Sequence, residues 1–358
     1  MNAYHLRAGV FTPALPALLC LAFLLLLSPM LVYAAPQSVG RVAQVDVLDL
    51  GNTQQFLFTA EGGERCEVIP YAADVIRVRC HWSTLLEQDD IGIAKTLSSW
   101  PSVTLNVVAE DSHYRIQTEL LEVEVVMDPQ LQINFLDRDG NPLSQGRGIS
   151  FDSAYSPLND STYQLTKAHN DIATGYQVRN ERAMPAGESY FGMGEHAGSL
   201  NLRGQVLQGW NSDAFMWKPE KNPMYMTLPF FYGVSTTTNH AWGLFFNNPV
   251  RPTVFFGKER VVASGERSDL ADSDSIALEA GAGLLDYFFF GGGEDHQMPQ
   301  VLQRYAELTG LPPLWPKWAY GYHMSRWSYT QDQIEELVDR FRAEQIPVDA
   351  VYMDIDYM

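Results

Sequence analysis

Hydrophobic and polar residues alternate along most of the chain between residues 37 and 290. In the segment LLEVEVVMD, Leu121, Val123 and Val125 lie on one face and two glutamates lie on the other. A period of two residues is typical of a half-buried β-strand. Many short segments of this kind, separated by turn signals such as an Asp-Gly pair, predict a β-sandwich over residues 35–293.

The periodicity changes to that of a helix after Gly293. Four apolar residues recur at helical spacing on one predicted face: Val301, Leu302, Tyr305 and Leu308. Gly310 ends this segment, and three prolines follow in LPPLWP. Because proline fixes the backbone and ends helices, residues 294–317 are predicted to form a helix and a stiff linker at a domain boundary.

A strand, a helix and a second strand are predicted in residues 318–358. The first strand is the apolar segment WAYGYHMSRWSY, and the second is IPVDAVYMDIDYM. Between them, Thr330 and Gln333 have the spacing of a helix-capping box. The predicted apolar face of this helix consists of Ile334, Leu337, Val338 and Phe341. Such a βαβ unit predicts parallel strands, as in an α/β barrel or an open α/β sheet.

Polar and aromatic residues follow both predicted strands of this unit. Arg326 and Trp327 come after the first strand, and Asp354 comes after the second. In α/β barrels the ligand-binding residues gather at the carboxyl ends of the parallel strands. The three side chains could therefore bind a polar, neutral, ring-shaped ligand. Ordinary strand-end polarity explains the same pattern, and the residues alone leave both interpretations open.

The first 34 residues are of a different kind. Arg7 precedes a nearly continuous apolar segment, and small residues follow in VYAA. This pattern predicts a secretory signal peptide that is cleaved after Ala34, so that the mature protein is secreted or periplasmic. An uncleaved membrane anchor is the alternative, since the apolar run approaches the ~20 residues that span a bilayer.

Two cysteines remain after the predicted cleavage. Cys66 and Cys80 lie in alternating runs on either side of PYAAD. A hairpin centred near Ala73 would place Cys66 opposite Cys80 and Val68 opposite Val78. An oxidising compartment permits a disulfide at such a pair, with Cα atoms about 4.4–6.8 Å apart. Two free buried thiols fit the sequence equally well.

Composition narrows the classes of function. Of the 358 residues, 46% are hydrophobic, 19% are charged and 12% are aromatic, which permits a sizeable core and aromatic surfaces for sugars. The formal net charge of −19 disfavours nucleic acid and anionic membranes as partners. The histidines do not pair at metal-ligand spacing, and GMGEHAG lacks the glycine register of a dinucleotide loop. No metal site and no cofactor is predicted.

Three motifs, in order along the chain, resemble glycoside hydrolase family 31, the retaining α-glucosidases and α-xylosidases. The family's galactose-mutarotase-like sandwich is similar to SYFGMGEHAGSLNLRGQVLQGWNSDAF, and the join to its barrel is similar to YFFFGG…LTGLPPLWPKWAYGYHMSRW. The start of its catalytic barrel resembles RWSY followed by a helix and IPVDAVYMDIDYM. The resemblance runs clearly from Gly187 to Met358. It implies a mainly β fold, with a β-sandwich followed by the first βαβ portion of a truncated (β/α)8 TIM barrel.

The resemblance also implies which residues bind substrate. Asp354 is expected to bind sugar hydroxyls, with Ile355 lining the same subsite and Trp327 packing against the sugar. Asp213 of WNSD is expected to reach into this pocket from a loop of the sandwich. Asp356 is expected to have a structural role inside the barrel. The implied ligand is an α-glucoside or an oligosaccharide.

The catalytic carboxyl groups are implied to lie elsewhere. In the family both come from later barrel strands, and only residues 318–358 belong to the predicted barrel here, whereas a whole barrel takes about 250 residues. We therefore expect an exported retaining α-glucosidase that is present as a fragment and is inactive alone. The alternatives are an α-xylosidase or transglucosidase of the same family, and a non-catalytic carbohydrate-binding sandwich with a vestigial barrel tail.

Overall fold

The computed structural model describes the following residues: 36–82, 92–152, 177–213, 218, 221–261 and 269–356. The predicted signal peptide lies outside them. The chain divides into two compact units, residues 1–305 and residues 306–358. The domain boundaries given above from the sequence remain predictions.

Strands dominate the described part of the first unit. They are β1 (Gln37–Ser38), β2 (Val42–Asp49), β3 (Gln54–Ala60), β4 (Arg65–Ala72), β5 (Val75–His81), β6 (Asn106–Ala109), β7 (His113–Gln117), β8 (Glu122–Val126), β9 (Gln132–Leu136), β10 (Pro142–Ser144), β11 (Gly146–Asp152), β12 (Gln177–Ala183), β13 (Glu188–Gly194), β14 (Val206–Gln208), β15 (Thr227–Ser235), β16 (Ala241–Phe246), β17 (Thr253–Val261), β18 (Asp269–Ala280) and β19 (Leu285–Phe290). A short 3-10 turn spans Leu97–Ser99.

These strands form three sheets with antiparallel neighbours. A six-stranded sheet has the order β1-β11-β12-β18-β17-β14, and a five-stranded sheet has the order β10-β9-β8-β7-β6. An eight-stranded sheet has the order β13-β15-β16-β19-β5-β4-β3-β2. The predicted mainly β architecture is confirmed.

One continuous hydrophobic core takes side chains from all three sheets, among them Phe56, Phe135 and Phe256. The period of two residues explains how the strands contribute to it. In β8, Val123 and Val125 are fully buried, while Glu122 and Glu124, which alternate with them, are only half-buried. The alternation in the sequence therefore marks the face of each strand that packs inward.

Arg182 on β12 connects the three sheets. Its side chain is fully buried, and its Nε donates a hydrogen bond to Ser144 Oγ at 2.7 Å. Its Nη2 donates to the carbonyl of Ile133 at 3.2 Å, and Nη1 lies 3.5 Å from the hydroxyl of Tyr287. The guanidinium also lies over the ring of Phe135, 5.1 Å from its centroid. Burial lowers the pKa of Arg182, and these partners offset the cost of burying its charge.

The β4–β5 hairpin has the register predicted from the sequence. Cys66 pairs with Cys80 and Val68 pairs with Val78. The two cysteines form a disulfide, with their Cα atoms 4.1 Å apart. This separation is slightly shorter than the predicted range and close to the ~4.5 Å of the narrower pairs in an antiparallel ladder. The alternative of two free thiols is therefore wrong.

Helix α1 (Met298–Thr309) spans the boundary between the units. Val301 and Leu308 are fully buried on its inner face, as predicted, whereas Leu302 is 51% exposed. The assignment of Leu302 to the buried face was therefore wrong, because it lies one residue, or about 100°, around the helix from Val301.

The second unit contains the predicted βαβ arrangement. A 3-10 turn (Lys317–Tyr320) precedes β20 (His323–Ser325), α2 (Gln331–Ala343) and β21 (Ala350–Tyr352). The two strands are parallel and are shorter than the apolar segments that predicted them. Thr330 and Gln333 form the predicted capping box. Within the described ranges, no helix has the length and apolar character needed to cross a membrane.

Candidate functional site

Trp327 and Asp354 follow neighbouring parallel strands in the second unit. In the register of β20 and β21, Ser325 pairs with Tyr352. Trp327 and Asp354 each come two residues after these paired strand ends. Because the strands are parallel, both residues emerge at the same edge of the small sheet.

The side chains at this edge are open. Trp327 is 70% exposed and Ile355 is 71% exposed. Asp354, which directly precedes Ile355 after the second strand, is also exposed. Indole and aliphatic groups can pack on the C–H face of a sugar, while a carboxylate accepts hydrogen bonds from its hydroxyls. The chemistry of this edge therefore suits a neutral, hydroxyl-rich ligand.

The side chain of Arg326 forms its contacts with residues of the second unit. Its Nε donates a hydrogen bond to the carbonyl of Ser328 at 2.6 Å, and its Nη2 donates to Gln333 Oε1 at 2.9 Å. The guanidinium lies 4.4 Å from the ring centroid of Tyr329. Gln333 also accepts from the backbone N–H of Thr330, so Arg326 ties the end of β20 to the start of α2.

A cavity of about 510 Å³ lies beside the start of α2, and Asp356 is exposed at its lining. The other lining residues are Ser328, Tyr329, Thr330, Gln331, Ile334, Glu335 and Met353. The hydroxyl of Tyr329 is buried without a hydrogen-bond partner in the described structure. The structural role expected for Asp356 stays a prediction.

Asp213 lies in the first unit, in the loop between β14 and β15. The two arms of this loop are joined by a hydrogen bond from the N–H of Ser212 to the carbonyl of Met224, at 2.9 Å. The N–H of Thr227 donates to Asn211 Oδ1 at 2.8 Å. These bonds hold the backbone on both sides of Tyr225 and the backbone that leads to Asp213.

The carboxylate of Asp213 is exposed and lies beside the hydroxyl of Tyr225. The hydroxyl of Tyr225 donates a hydrogen bond to Asp213 Oδ1 at 3.2 Å. Tyr225 is 50% exposed, and Trp210 and Met226 in the same loop are 39% and 51% exposed. Sequence reasoning missed Tyr225, although an aromatic residue in NPMYM, on the returning arm after WNSD, was an available signal.

The GMGE motif shapes the backbone next to this loop. Gly192, Met193 and Gly194 all have positive φ values, at 126°, 71° and 82°. A Cβ at Gly194 would lie 2.7 Å from the carbonyl oxygen of Met226. The next residue, Glu195, donates its N–H to that same carbonyl at 3.0 Å. The glycines therefore permit close approach of two backbone segments, which explains the motif without any dinucleotide.

Other acids of the first unit serve the core. Glu188 is 6% exposed, and its carboxylate accepts from the Tyr190 hydroxyl and the Trp242 indole N–H, both at 2.6 Å. Burial raises the pKa of Glu188 against the lowering effect of these bonds. Asp286 forms a buried ion pair with Arg77 at 2.7 Å. These contacts indicate that both carboxyl groups stabilise the interior of the first unit.

Two of the predicted site residues therefore share an edge of the second unit, Ile355 is adjacent to one of them, and Asp213 lies in the first unit. Their roles in binding stay predictions. Among the described side chains, no group of three or more His, Cys, Asp or Glu residues is placed to hold a metal ion.

The sequence matches two domain families, and both are domains of glycosyl hydrolase family 31. Residues 65–254 match the glycosyl hydrolase 31 N-terminal galactose mutarotase-like domain. Residues 312–358 match the glycosyl hydrolases family 31 TIM-barrel domain. The first match covers more than half of the chain.

Curated relatives are similar over about half of the chain. Alpha-glucosidase 2 of Bacillus thermoamyloliquefaciens is 35% identical over 179 residues, which are 49% of this chain and 20% of the relative. An alpha-glucosidase of Saccharolobus solfataricus is 31% identical over 188 residues, which are 52% of this chain and 25% of the relative. The aligned part is thus a fifth to a quarter of these relatives.

Solved structures show the same fold. A GH31 dextranase of Flavobacterium johnsoniae, complexed with isomaltotriose, superposes with a TM-score of 0.69 at 24% identity. The match covers 90% of this chain and 34% of the dextranase. The sandwich of the first unit is thus galactose-mutarotase-like, and the second unit corresponds to a portion of the barrel. The chain belongs to glycoside hydrolase family 31 and corresponds to an amino-terminal part of the family's proteins.

Proposed function

We propose that this chain is the amino-terminal part of a retaining α-glucosidase, which cleaves terminal α-glucosidic bonds. Retaining glycosidases use two carboxyl groups roughly 5–5.5 Å apart, one as the nucleophile and one as the acid and base. In the proposal both belong to later strands of the barrel. Neither Asp354 nor Asp356 takes these roles, and the chemistry requires no metal or organic cofactor.

The observation that carries the proposal is the parallel register of β20 and β21. It brings Trp327 and Asp354 to one edge, with Ile355 next to the carboxylate. In the proposal Asp354 accepts hydrogen bonds from hydroxyls of the glycone, while Trp327 and Ile355 cover its apolar surface. Asp213, an exposed carboxylate in a loop fixed at both arms, contributes further acceptors to the same sugar.

An α-glucoside is the preferred substrate in this proposal. The relatives with the highest identities among those cited above are named α-glucosidases. An alpha-xylosidase of Saccharolobus solfataricus is 26% identical over 189 residues, and an isomaltosyltransferase of Sporosarcina globispora is 29% identical over 180 residues. These two relatives favour α-xylosidase and transglycosylase activity as the second candidates.

The experiment compares two proteins. The first is the 358-residue chain, and the second is the complete enzyme, defined as the protein read from the gene when the frame is followed through the whole barrel. The complete enzyme should hydrolyse an aryl α-glucoside faster than an aryl α-xyloside and with retention, while the 358-residue chain should show no turnover above background. Robust turnover by the chain alone contradicts the proposal, and so does a stop codon directly after Met358, which favours the carbohydrate-binding sandwich or a pseudogene.

We also propose that the protein is exported. The apolar leader with its small-residue cleavage site supports this, and so does the disulfide between Cys66 and Cys80, because disulfides persist mainly in oxidising compartments. The mass of the mature amino terminus should correspond to a start at Ala35. An intact leader on the mature protein contradicts cleavage and favours the membrane anchor.

A further inference from the structure

Tyr225 is the one described residue that donates a hydrogen bond to the carboxylate of Asp213. The hydroxyl lies 3.2 Å from Oδ1. An ionised carboxylate has about four lone-pair sites, so this bond occupies a fraction of its capacity. The remaining sites have no hydrogen-bond donor among the described residues, and the side chain is exposed. They are open to donors from a ligand.

The backbone around Tyr225 is fixed from two sides. The carbonyl before it, on Met224, accepts from the N–H of Ser212 in the arm that bears Asp213, at 2.9 Å. The carbonyl after it, on Met226, accepts from the N–H of Glu195 beyond β13, at 3.0 Å. A tyrosine side chain has only two χ angles, so it presents its hydroxyl with little loss of conformational entropy.

We propose that Tyr225 is a positioning residue for substrate binding: its hydroxyl holds the Asp213 carboxylate in the orientation that accepts hydrogen bonds from sugar hydroxyls. The inference rests on the proposed function, in which Asp213 binds the glycone. An exposed aspartate without such a partner samples several rotamers, and ordering it at the moment of binding costs affinity. The tyrosine reduces that cost because the carboxylate is ordered beforehand.

Removing the hydroxyl alone tests the inference. Tyr225→Phe keeps the exposed ring, so a contact between the ring and the sugar is preserved. In the complete enzyme this variant should lower kcat/KM on an aryl α-glucoside by about three- to tenfold, the range expected for one modest hydrogen bond. Its Tm should stay that of the parent, because both partners are at the surface.

The decisive measurement is a double-mutant cycle of the parent, Tyr225→Phe, Asp213→Ala and the double variant. If the tyrosine acts through Asp213, then Tyr225→Phe has no further effect once the carboxylate is gone. A general loss of structure would instead lower activity in both backgrounds. Tyr232→Phe, which removes a hydroxyl on β15 outside the Asp213 loop, is the matched control and should leave kcat/KM unchanged.

The outcomes separate this inference from the proposed function. A fully active Asp213→Ala enzyme, or a gene without a downstream barrel, overturns the sugar-binding role of Asp213 and with it the inference. If Asp213→Ala is impaired but Tyr225→Phe is fully active, or if the two losses multiply in the double variant, the positioning role alone is overturned. Loss of the Tyr225→Phe effect in the Asp213→Ala background supports it.

Discussion

Glu188 and Asp213 show how differently two acids of one sandwich are used. Glu188 is almost fully buried, and a phenol and an indole donate to its carboxylate. Asp213 is exposed and accepts from a single half-exposed tyrosine. The family resemblance singled out Asp213, but no local pattern marks Glu188 as buried, because its partner Trp242 lies 54 residues away.

The buried carboxyl of Glu188 predicts a pH dependence of stability. Burial raises the pKa of Glu188 above its ordinary value of 4.5 in the folded protein, so between the two values the folded state holds a proton that the unfolded chain has released. Its contribution to stability is therefore fully present below pH 4.5 and is lost as the pH rises through the raised pKa.

Glu188→Gln removes this titration and retains groups that can bond to Tyr190 and Trp242. The free energy of unfolding of the variant, relative to the parent, should therefore increase as the pH rises through that interval. Urea unfolding at a series of pH values measures this difference. Glu61→Gln removes a carboxylate at an exposed position and provides the matched control for the loss of one negative charge. A Glu188→Gln difference that is constant with pH would contradict the assignment.

At the scale of elements, local patterns predicted the pairing of one hairpin and the apolar face of one helix, but not where the short strands end. The β4–β5 register followed from two alternating runs around a short turn, and the apolar face of α2 followed from helical spacing. Ile334, Leu337, Val338 and Phe341 are the half-buried positions of that helix. The lengths of β20 and β21 were overestimated because apolar residues continue past their ends, as Trp327 and Met353 show.

The backbone contact at Gly194 predicts a specific sensitivity. Gly194 and Gly204 have the same φ of 82°, so an alanine at either position is strained by about 1–2 kcal/mol. A Cβ at Gly194 would additionally lie 2.7 Å from backbone atoms of Met226 and Leu228, whereas at Gly204 nothing lies within 4 Å.

Gly194→Ala should therefore destabilise the protein more than its matched control Gly204→Ala, which carries the strain alone. Chemical denaturation of both variants measures the two free energies of unfolding. Equal losses would show that β13 and β15 separate without cost at this point, contrary to the close approach described above.

At the scale of the whole molecule, the sequence pattern could not predict the order of the strands in the sheets. Alternation shows which face of a strand is buried, but not which distant strand lies beside it. β5 pairs with β19, more than 200 residues later, through contacts such as that of Arg77 with Asp286. Arg182 likewise joins three sheets through partners that are separated along the chain.

In the candidate site, too, contacts within one local unit were predictable and contacts that depend on a long loop were not. The parallel register that brings Trp327 and Asp354 to one edge was predictable, because both residues belong to one βαβ unit. The hydrogen bond between Asp213 and Tyr225 was not, because it depends on the path of a loop. In the proposed function, Asp213 and Asp354 both bind the α-glucoside, and this is its central claim.

Alanine substitution at each of the two positions in the complete enzyme tests this claim most directly. Losing a hydrogen bond to a charged group costs roughly 1.5–3 kcal/mol, so Asp213→Ala and Asp354→Ala should each lower kcat/KM on an aryl α-glucoside by at least about tenfold. Both variants should unfold at the temperature of the parent, which separates lost binding from lost structure. Full activity of either folded variant would contradict the claim.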